Sequence, residues 1–573
     1  MDRKTMGRAK RPGRSRRVDR ARCLGLAVLA AGGFGAGSLA VPRPAQAGAV
    51  LSWTTVVNNG DLVPGSDRAF NSYSPPSVNN AALVVFRART SGGQAQGEPI
   101  TGVFSRDMAT AGPVGTIVQR NQVVPPPNNT GATFNEFPAF ARIDARSGMA
   151  ATRGQSQPVW EVIDQNTGET LTRVGTAGIY ATPNGGALVT GMSGVGGVPG
   201  FPQFQVPPDA AGATGVKFDQ FPGAPSAFDG QFVAFKGNFT AGGTAQTGVF
   251  YRDTLGAGGA VTVAHSGQAL PNGGGVFGST APPSAASGQI VFTGLDNEET
   301  PTAGGIYHAR IGQPGLNTLV SFGQVIAGVT DANGLNRIGE ALSFDGRRVA
   351  FWGAWGTETR TVTLTCPTEG QAAVVAACNT QAAQDGTDDG KIDVEVPVNQ
   401  GIFQVDVQTG ALSLVAQTGG EFEDFLFWTF SGRPSGVGGG DGGEEFEEPR
   451  WRSSAFLAND QGRVVFKASE GDANPFGLYL DRGLAFAPET IVDSTMLGDL
   501  LDTAATDLPI TALALERDGF RNGRLAISAS MANEEESWAG VYLTQIPVPE
   551  PGTLGLLAGG LALLGAARRR RAG

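Results

Sequence analysis

The sequence predicts an all-β fold, a β-propeller of seven four-stranded blades with its ring closed by the N-terminal strand, followed by a short C-terminal apolar helix. Three observations lead to this prediction. Glycine is very abundant, at 86 of 573 residues, which favours many short strands joined by turns over long helices. A short phrase recurs seven times along the chain. The last repeat of the body lacks its final strand, and the N-terminal segment matches that missing strand.

The recurring phrase is a glycine, an aliphatic residue and an aromatic residue. Its copies are GVF at 102–104, GIY at 178–180, GVF at 248–250, GIY at 305–307, GIF at 401–403, GLY at 477–479 and GVY at 540–542. An apolar segment precedes each copy, usually after a glycine or Asp-Gly turn. These segments begin at Ala82, Gly148, Gly230, Gly288, Gly346, Gly462 and Gly523. Alternating apolar residues, enriched in β-branched and aromatic types, predict that both segments are strands.

A third phrase often follows, in which an apolar strand runs into glycine or asparagine and then proline. Examples are TIVQRNQVVPPP from Thr116 and VTVAHSGQALPNG from Val261. Each repeat is therefore predicted to be a four-stranded antiparallel meander. Repeats that cannot bury their own faces stack into solenoids or propellers. Four-stranded units favour a propeller, because a closed ring leaves no long exposed edge.

The ends of the body support a ring over an open stack. The segment LSWTTVVNNGDLVPG from Leu51 matches the third phrase of the repeat, whereas the body stops after GVYLTQI, at Ile546, without that phrase. We therefore predict that the N-terminal strand completes the blade that the C-terminal strands begin. A linear array gives no reason for the two ends to match in this way.

Several segments combine an Asp-Gly turn, a strand and an aliphatic-aromatic-x-Val-Asp run. The clearest are residues 343–353 and 401–415, and the segments from Pro225 and Ala455 are similar. They resemble the TolB-type WD40-like propeller repeat, and this resemblance implies propeller blades. We interpret the Asp-Gly and Gly-aliphatic-aromatic residues as turn and core residues.

The N-terminus has the three parts of a secretory signal peptide. Basic residues are frequent up to Arg22, residues 23–41 are apolar, and Ala45 and Ala47 form a small-x-small cleavage site before Gly48. The apolar part is rich in glycine and alanine, which argues against a membrane span. We predict a signal peptide at 1–47 and a propeller body at 48–546. The residues leave the choice between the general and the twin-arginine export routes open.

Residues 547–573 carry three consecutive features. A VPEP box comes first, residues 554–567 are apolar, and four arginines follow. The residues of the box and the basic stop are Val548, Pro549, Glu550, Pro551, Arg568, Arg569, Arg570 and Arg571. The apolar run would partition into the inner membrane while the arginines stay on the cytoplasmic side. The prolines would keep the box extended on the outer side.

This order resembles the PEP-CTERM sorting signal. The resemblance implies processing by an exosortase, transient insertion of the tail into the inner membrane, and a final location at or outside the surface of a Gram-negative bacterium that makes exopolysaccharide. The apolar run of fourteen residues is short for a permanent span. An ordinary C-terminal membrane anchor is the alternative.

The charge of the body limits its partners, and the two cysteines of the body are predicted to pair. The net charge is −10 although the leader is strongly basic, so the body is acidic and would repel nucleic acid and anionic lipid. Cys366 and Cys378 lie in an insertion at about 356–398 in the fifth repeat. An oxidising compartment predicts a disulfide between them. Two free thiols are the alternative.

One segment of the same insertion is a candidate calcium loop. Asp385, Thr387, Asp389 and Asp393 occupy the first, third, fifth and ninth positions of a pattern that resembles an EF-hand or dockerin loop. Oxygen ligands at alternate positions suit calcium. The twelfth position is Val396 where that pattern has a bidentate glutamate, and a solvated acidic loop is the alternative.

The sequence shows no Gly-x-Ser-x-Gly elbow and no phosphate-binding glycine loop with lysine, and it has only two histidines. We predict a non-enzymatic, surface-associated or secreted propeller that binds glycan or protein in an exopolysaccharide or biofilm context, with no cofactor except possible calcium. One alternative is a polysaccharide hydrolase or lyase on the same scaffold, which acidic residues from at least three blades at the channel mouth would favour. Another is a calcium-dependent adhesion module.

Overall fold

Seven antiparallel sheets, each with four strand positions, make up the body. The computed structural model describes residues 51–92, 97–127, 131–157, 160–163, 167–194, 202–368, 372–385, 389–433, 447–471, 475–482 and 487–547. The first described strand is β1 (Trp53–Asn58). Short 3-10 turns occur at Pro183–Gly185, Pro202–Phe204, Ala383–Asp385 and Gly498–Leu500.

In the first three blades the first strand position is divided into two short segments, and three longer strands follow. Blade one contains β2 (Phe70–Tyr73), β3 (Ser77–Val78), β4 (Leu83–Thr90), β5 (Thr101–Asp107) and β6 (Gly115–Gln119). Blade two contains β7 (Phe134–Glu136), β8 (Arg142–Ile143) and β9 (Ala150–Ser156), then the small hairpin β10 (Trp160–Ile163) and β11 (Thr170–Val174), then β12 (Ala177–Ala181) and β13 (Val189–Ser193). Blade three follows the short helix α1 (Pro208–Ala211) and contains β14 (Phe218–Gln220), β15 (Ser226–Phe228), β16 (Phe232–Ala241), β17 (Thr244–Asp253) and β18 (Val261–His265).

Blades four and five repeat this order, whereas blade six has an undivided first strand, and blades five and six carry additions. Blade four contains β19 (Ser279–Thr280), β20 (Ser284–Ala286), β21 (Gln289–Leu295), β22 (Gly304–Arg310) and β23 (Asn317–Ser321). Blade five contains β24 (Leu335–Ile338), β25 (Ser343–Phe344), β26 (Arg348–Thr365), helix α2 (Ala372–Ala382), β27 (Lys391–Asp406) and β28 (Leu412–Gln417). Blade six follows a separate hairpin, β29 (Phe427–Arg433) and β30 (Glu447–Ser454), and contains β31 (Leu457–Asp460), β32 (Arg463–Ser469), β33 (Phe476–Asp481) and β34 (Glu489–Asp493).

The seventh blade joins the two ends of the body. It contains β35 (Ile510–Ala514), β36 (Phe520–Arg521), β37 (Arg524–Ala532) and β38 (Ser537–Gln545). Its fourth strand is β1, which pairs antiparallel with β38 from Trp53 opposite Thr544 to Asn58 opposite Gly540. This confirms the prediction that the first strand of the body belongs to the same sheet as the last.

Contacts between blades form an unbroken circle. The short inner segments β3, β8, β15, β20, β25, β31 and β36 each contact the next in this order, and β36 contacts β3. The core lies between the faces of neighbouring blades. Val84 and Phe86 of blade one, for example, share a buried cluster with Val541 and Leu543 of the seventh blade. The predicted ring of seven four-stranded blades is therefore confirmed.

The recurring Gly-aliphatic-aromatic phrase lies in the third strand of every blade. Its aliphatic and aromatic side chains are all buried. The glycine is required by close packing: a Cβ at Gly540 would lie 2.8 Å from the carbonyl oxygen of Val57 and 2.6 Å from the hydroxyl oxygen of Tyr542. A larger residue would therefore push the third and fourth strands apart.

Two insertions extend beyond the blades and pack on each other. Strands β26 and β27 continue as a paired hairpin from Thr359 opposite Pro397 to Thr365 opposite Lys391. A disulfide joins Cys366 at the hairpin end to Cys378 in α2. Both cysteines share a small apolar cluster with Phe430 of β29. The two insertions therefore share a small core outside the ring.

The described residues contain no helix that is long and apolar enough to cross a membrane. The predicted signal peptide, the residues of the VPEP box and the predicted apolar helix of the tail lie outside the described residues.

Candidate functional site at the turn face

The turns that join the first and second strands of the blades meet at one mouth of the ring. There they surround a cavity of about 480 Å³, and six of the seven blades contribute to its wall. The lining residues are Asn80, Asp144, Ala145, Arg146, Ala286, Ser287, Asp345, Arg347, Arg348, Asp460, Gln461 and Arg521. We call the end of the ring formed by these turns the turn face, and the space they enclose the turn-face cavity.

The aspartates of these turns link adjacent blades. Asp345 Oδ1 accepts hydrogen bonds from the backbone N–H groups of Arg347 at 2.8 Å and Arg348 at 2.7 Å, and its Oδ2 accepts from the N–H of Gln461 in blade six at 3.0 Å. Such local side-chain to backbone bonds favour turns. The aspartate of the Asp-Gly turn at 345–346 therefore fixes this turn and connects it to blade six.

Two further aspartates make the same kind of link. Asp144 Oδ2 accepts from the hydroxyl of Ser147 at 2.6 Å and from the N–H of Gly230 in blade three at 2.9 Å. Asp460 Oδ2 accepts from the N–H of Gly523 in the seventh blade at 2.9 Å. Aspartates from blades two, five and six thus line the cavity, which is the arrangement that the sequence analysis associated with an enzyme.

Two of the cavity arginines, unlike the aspartates, have side chains that make no hydrogen bond within the part of the protein that the structure describes. Arg347 Nε donates to Asp406 Oδ2 at 2.8 Å. The guanidinium groups of Arg146 and Arg348 make no hydrogen bond or ion pair with any described residue. The guanidinium of Arg348 lies against the Cα of Gly462 in the neighbouring turn, where any side chain would collide with it. Two arginines therefore present free donors at the cavity.

Arg521 forms part of the buried wall, with only 4 % of its side chain exposed. Its Nη1 donates to the carbonyl oxygen of Asn459 at 2.7 Å, and its Nη2 donates to the carbonyl oxygen of Phe344 at 3.0 Å and to Asp518 Oδ1 at 2.5 Å. Its Nε has no hydrogen-bond partner in the described part of the chain. An unsatisfied buried donor is uncommon in native structures.

An ion network continues from Asp518 into the interior of the ring. Arg142 Nε donates to Glu516 Oε1 at 2.5 Å, and Arg142 Nη1 donates to the carbonyl oxygen of Ala224 at 2.9 Å. Burial, together with the nearby charge of Arg142, lowers the pKa of Arg517 to about 10, and burial raises the pKa of Asp518. These contacts join blades two, three and seven, and therefore stiffen the ring behind the cavity.

The candidate calcium ligands lie elsewhere, in the insertion of blade five. Thr387 is outside the described residues, and Asp385 ends a 3-10 turn. Asp393 belongs to strand β27, and its Oδ1 accepts a hydrogen bond from the hydroxyl of Thr363 across the hairpin at 2.6 Å. Asp389 Oδ1 accepts from the N–H of Lys391 at 3.0 Å. Among the described residues no group of three or more histidine, cysteine, aspartate or glutamate side chains could hold a metal ion, and calcium binding by the full loop stays a prediction.

The cavity arginines were not among the residues predicted to form a site. A signal for them was present, because basic residues accompany several of the turns even though the body is acidic. Examples are Arg146, Arg347, Arg348 and Arg524. Their convergence depends on how the blades close the ring, which local patterns do not reveal.

The C-terminal end of the body lies beside the same turns. The backbone N–H of Ile546 donates to the carbonyl oxygen of Gly523 at 2.7 Å, and the family model of the PEP-CTERM protein-sorting motif matches residues 547–571. The chain carries a PEP-CTERM sorting motif. The motif implies exosortase-mediated sorting and export to the cell envelope or surface, so the sequence resemblance is confirmed for the tail. The PEP-CTERM segment therefore begins at the turn face.

No curated protein matches the chain. The chain is similar to the β-propeller domain of the Trilobed protease from Pyrococcus furiosus, with 9% identity, coverage of 85% of this chain and 98% of that chain, and a TM-score of 0.35. It is also similar to an α-L-arabinofuranosidase from Fusarium graminearum in complex with an iminosugar inhibitor, with 8% identity, coverage of 86% and 98%, and a TM-score of 0.28. Similarities at these scores carry no argument about function.

Proposed function

We propose that this exported PEP-CTERM protein is a non-enzymatic, glycan-binding β-propeller that acts at the cell surface of a Gram-negative bacterium, in an exopolysaccharide or biofilm context. The turn-face cavity is its binding site. The observation that carries the proposal is a preformed polar cavity whose walls come from six blades. Glycans are rich in hydroxyl groups, and they require a wall of hydrogen-bonding side chains such as this one.

The size and rigidity of the cavity support this proposal. Its volume of about 480 Å³ lies within the range of about 300–1,000 Å³ that is usual for small-ligand sites. The turns that form it are held by side-chain hydrogen bonds between blades, for example from the N–H of Gln461 to Asp345. A wall that is already ordered loses little conformational entropy when a ligand binds.

A glycan array with the full chain, purified in mild detergent, tests the proposal. Ala145→Trp places a large side chain in the cavity wall, and we expect it to abolish binding to the array. Ala109→Trp is the matched control, because Ala109 is exposed in the loop after β5 and does not line the cavity. Equal binding by both variants, or no binding by the unaltered chain, would contradict the proposal.

A polysaccharide hydrolase or lyase is the second candidate, favoured by the aspartates from three blades at the cavity. Acid–base catalysis requires a carboxyl group that is free to exchange a proton with the substrate. Asp144, Asp345 and Asp460 instead hold the turns through hydrogen bonds from N–H groups. Turnover assays on polysaccharides decide between the candidates, since product formation that is lost in Asp345→Asn would favour the enzyme.

A further inference from the structure

We infer that the turn-face cavity takes an acidic glycan, specifically the carboxylate of a uronate sugar, in preference to a neutral one. This inference rests on the proposed glycan-binding function and names the chemistry of the ligand. In the cavity wall, most acceptors already have hydrogen-bond partners within the protein, whereas several donors have none among the described residues. The inference rests on this difference.

The acceptors of the wall are largely engaged within the protein. Asp144 and Asp345 each use both carboxylate oxygens for hydrogen bonds that hold the turns. Asp460 Oδ2 accepts from the N–H of Gly523 and from Arg463 Nη2. A ligand that mainly offers donors would therefore find few acceptors here.

The free groups of the wall are donors. Arg146 and Arg348 have guanidinium groups without a partner among the described residues, and a guanidinium offers five N–H donors and no acceptor. Its fork matches the two oxygens of a carboxylate. The charge of the wall is nearly balanced, because four arginines and three aspartates line the cavity. The preference for a carboxylate therefore rests on the free N–H donors and not on the net charge.

Arg521 adds a further arginine to the same wall. Its side chain is 4 % exposed, it lines the cavity, and its Nε is a buried donor without a partner in the described chain. Arg521 therefore contributes a positive charge to the cavity wall, which favours an anionic ligand over a neutral one.

The remaining lining favours a sugar over an acidic peptide. Asn80, Ser287 and Gln461 can exchange hydrogen bonds with hydroxyl groups, and the apolar contribution comes only from Ala145 and Ala286. Peptides that bind as an added strand or as a helix in a groove use pockets or apolar grooves for their side chains, which this wall does not supply. None of the described lining residues is aromatic, so a neutral sugar would have no ring on which to stack. Charge-assisted bonds are roughly twice as strong as neutral ones.

Calorimetric titration of the full chain with oligogalacturonate, and with neutral galactose oligomers of the same length, tests the inference. We expect oligogalacturonate to bind at least about tenfold more tightly, and to bind more weakly when ionic strength rises from about 0.1 M to about 1 M. The double variant Arg146→Gln/Arg348→Gln is expected to lose at least about tenfold in affinity for the uronate.

Arg89→Gln is the matched control, because Arg89 is exposed at the far end of β4 from its turn. We expect it to bind as the unaltered chain does, and circular dichroism with thermal melting verifies that each variant is folded. Equal affinity for the acidic and neutral oligomers, or no loss in the double variant relative to the control, would overturn the acidic preference and leave glycan binding standing. Preference for a glutamate-rich peptide would overturn it in favour of a protein partner. Failure to bind any glycan would overturn the proposed function as well.

Discussion

The ammonium nitrogen of Lys467 lies 4.0 Å from the ring centre of Phe427. Phe476 and Phe456 lie around the same nitrogen, with ring centres at 4.8 Å and 5.6 Å. Lys467 is on the second strand of blade six, and Phe427 opens the extra hairpin β29–β30. The hairpin is therefore attached to its blade by cation–π contacts as well as by apolar packing.

Lys467 makes stability depend on pH in a direction that can be tested. Burial lowers its pKa from the usual 10.5 to about 8, so the folded state binds this proton more weakly than the unfolded state. The loss of stability from burying the charged Lys467 side chain is full below pH 8, and it disappears as pH rises towards 10.5. We expect the unfolding free energy of the protein to rise by up to about 3 kcal/mol over this window, relative to Lys467→Met.

Denaturant unfolding at several pH values between 7 and 10.5 measures this effect. Lys236→Met is the matched control, because Lys236 has the equivalent position in β16 and no ring is placed over it in the described chain. A difference between wild type and Lys467→Met that does not change with pH would count against the buried-lysine account.

Asp502 links the two strands that close the ring, β1 and β38. Its Oδ2 accepts hydrogen bonds from Asn58 Nδ2 at 2.7 Å, Trp538 Nε1 at 3.1 Å and the hydroxyl of Tyr542 at 3.3 Å. Asp502→Ala leaves these donors unsatisfied, and we expect a loss of about 2–4 kcal/mol. Hydrogen exchange should show the backbone amides of β1 losing protection first. Exposed Asp499→Ala should leave them protected, and identical exchange in the two variants would refute this role.

The glycine of the recurring phrase is predicted to be intolerant of any side chain. A Cβ at Gly540 would meet the carbonyl oxygen of Val57 at 2.8 Å, so Gly540→Ala should destabilise the protein by about 1–3 kcal/mol. Thermal unfolding measures the loss. Gly420→Ala is the control, because a Cβ at Gly420 would have nothing within 4 Å. Equal melting temperatures of the two variants would show that the strands at Gly540 can move apart without loss of stability.

The disulfide is expected to stabilise the insertion and to leave the ring unchanged. Removing it with Cys366→Ser/Cys378→Ser frees a short loop and should lower local stability by about 2–3 kcal/mol. Limited proteolysis should then cut near α2 while the blades stay protected. Unchanged proteolysis would show that the contact of α2 with Phe430 suffices. A large fall in the melting temperature of the ring would show that the two parts are coupled.

Short-range patterns in the sequence were enough to predict the propeller fold and the sorting motif of this protein. The Gly-aliphatic-aromatic phrase marks the third strand of each blade because the close packing of adjacent strands recurs at that place. The matching ends, from Leu51 and at Ile546, predicted the closure seen between β1 and β38. The VPEP box and basic stop predicted the sorting motif, since a processing enzyme recognises a local segment.

The tertiary structure alone determined the candidate site. Arg146 and Arg348 are distant in sequence, yet both line one cavity, because the circular arrangement of blades brings equivalent turns to the same mouth. The packing of Phe430 near Cys378 depends on two insertions from different blades. Local patterns determine which residues form strands and turns, whereas the closure of the ring determines which turns face one another, and the chemistry of this cavity arises from that second step.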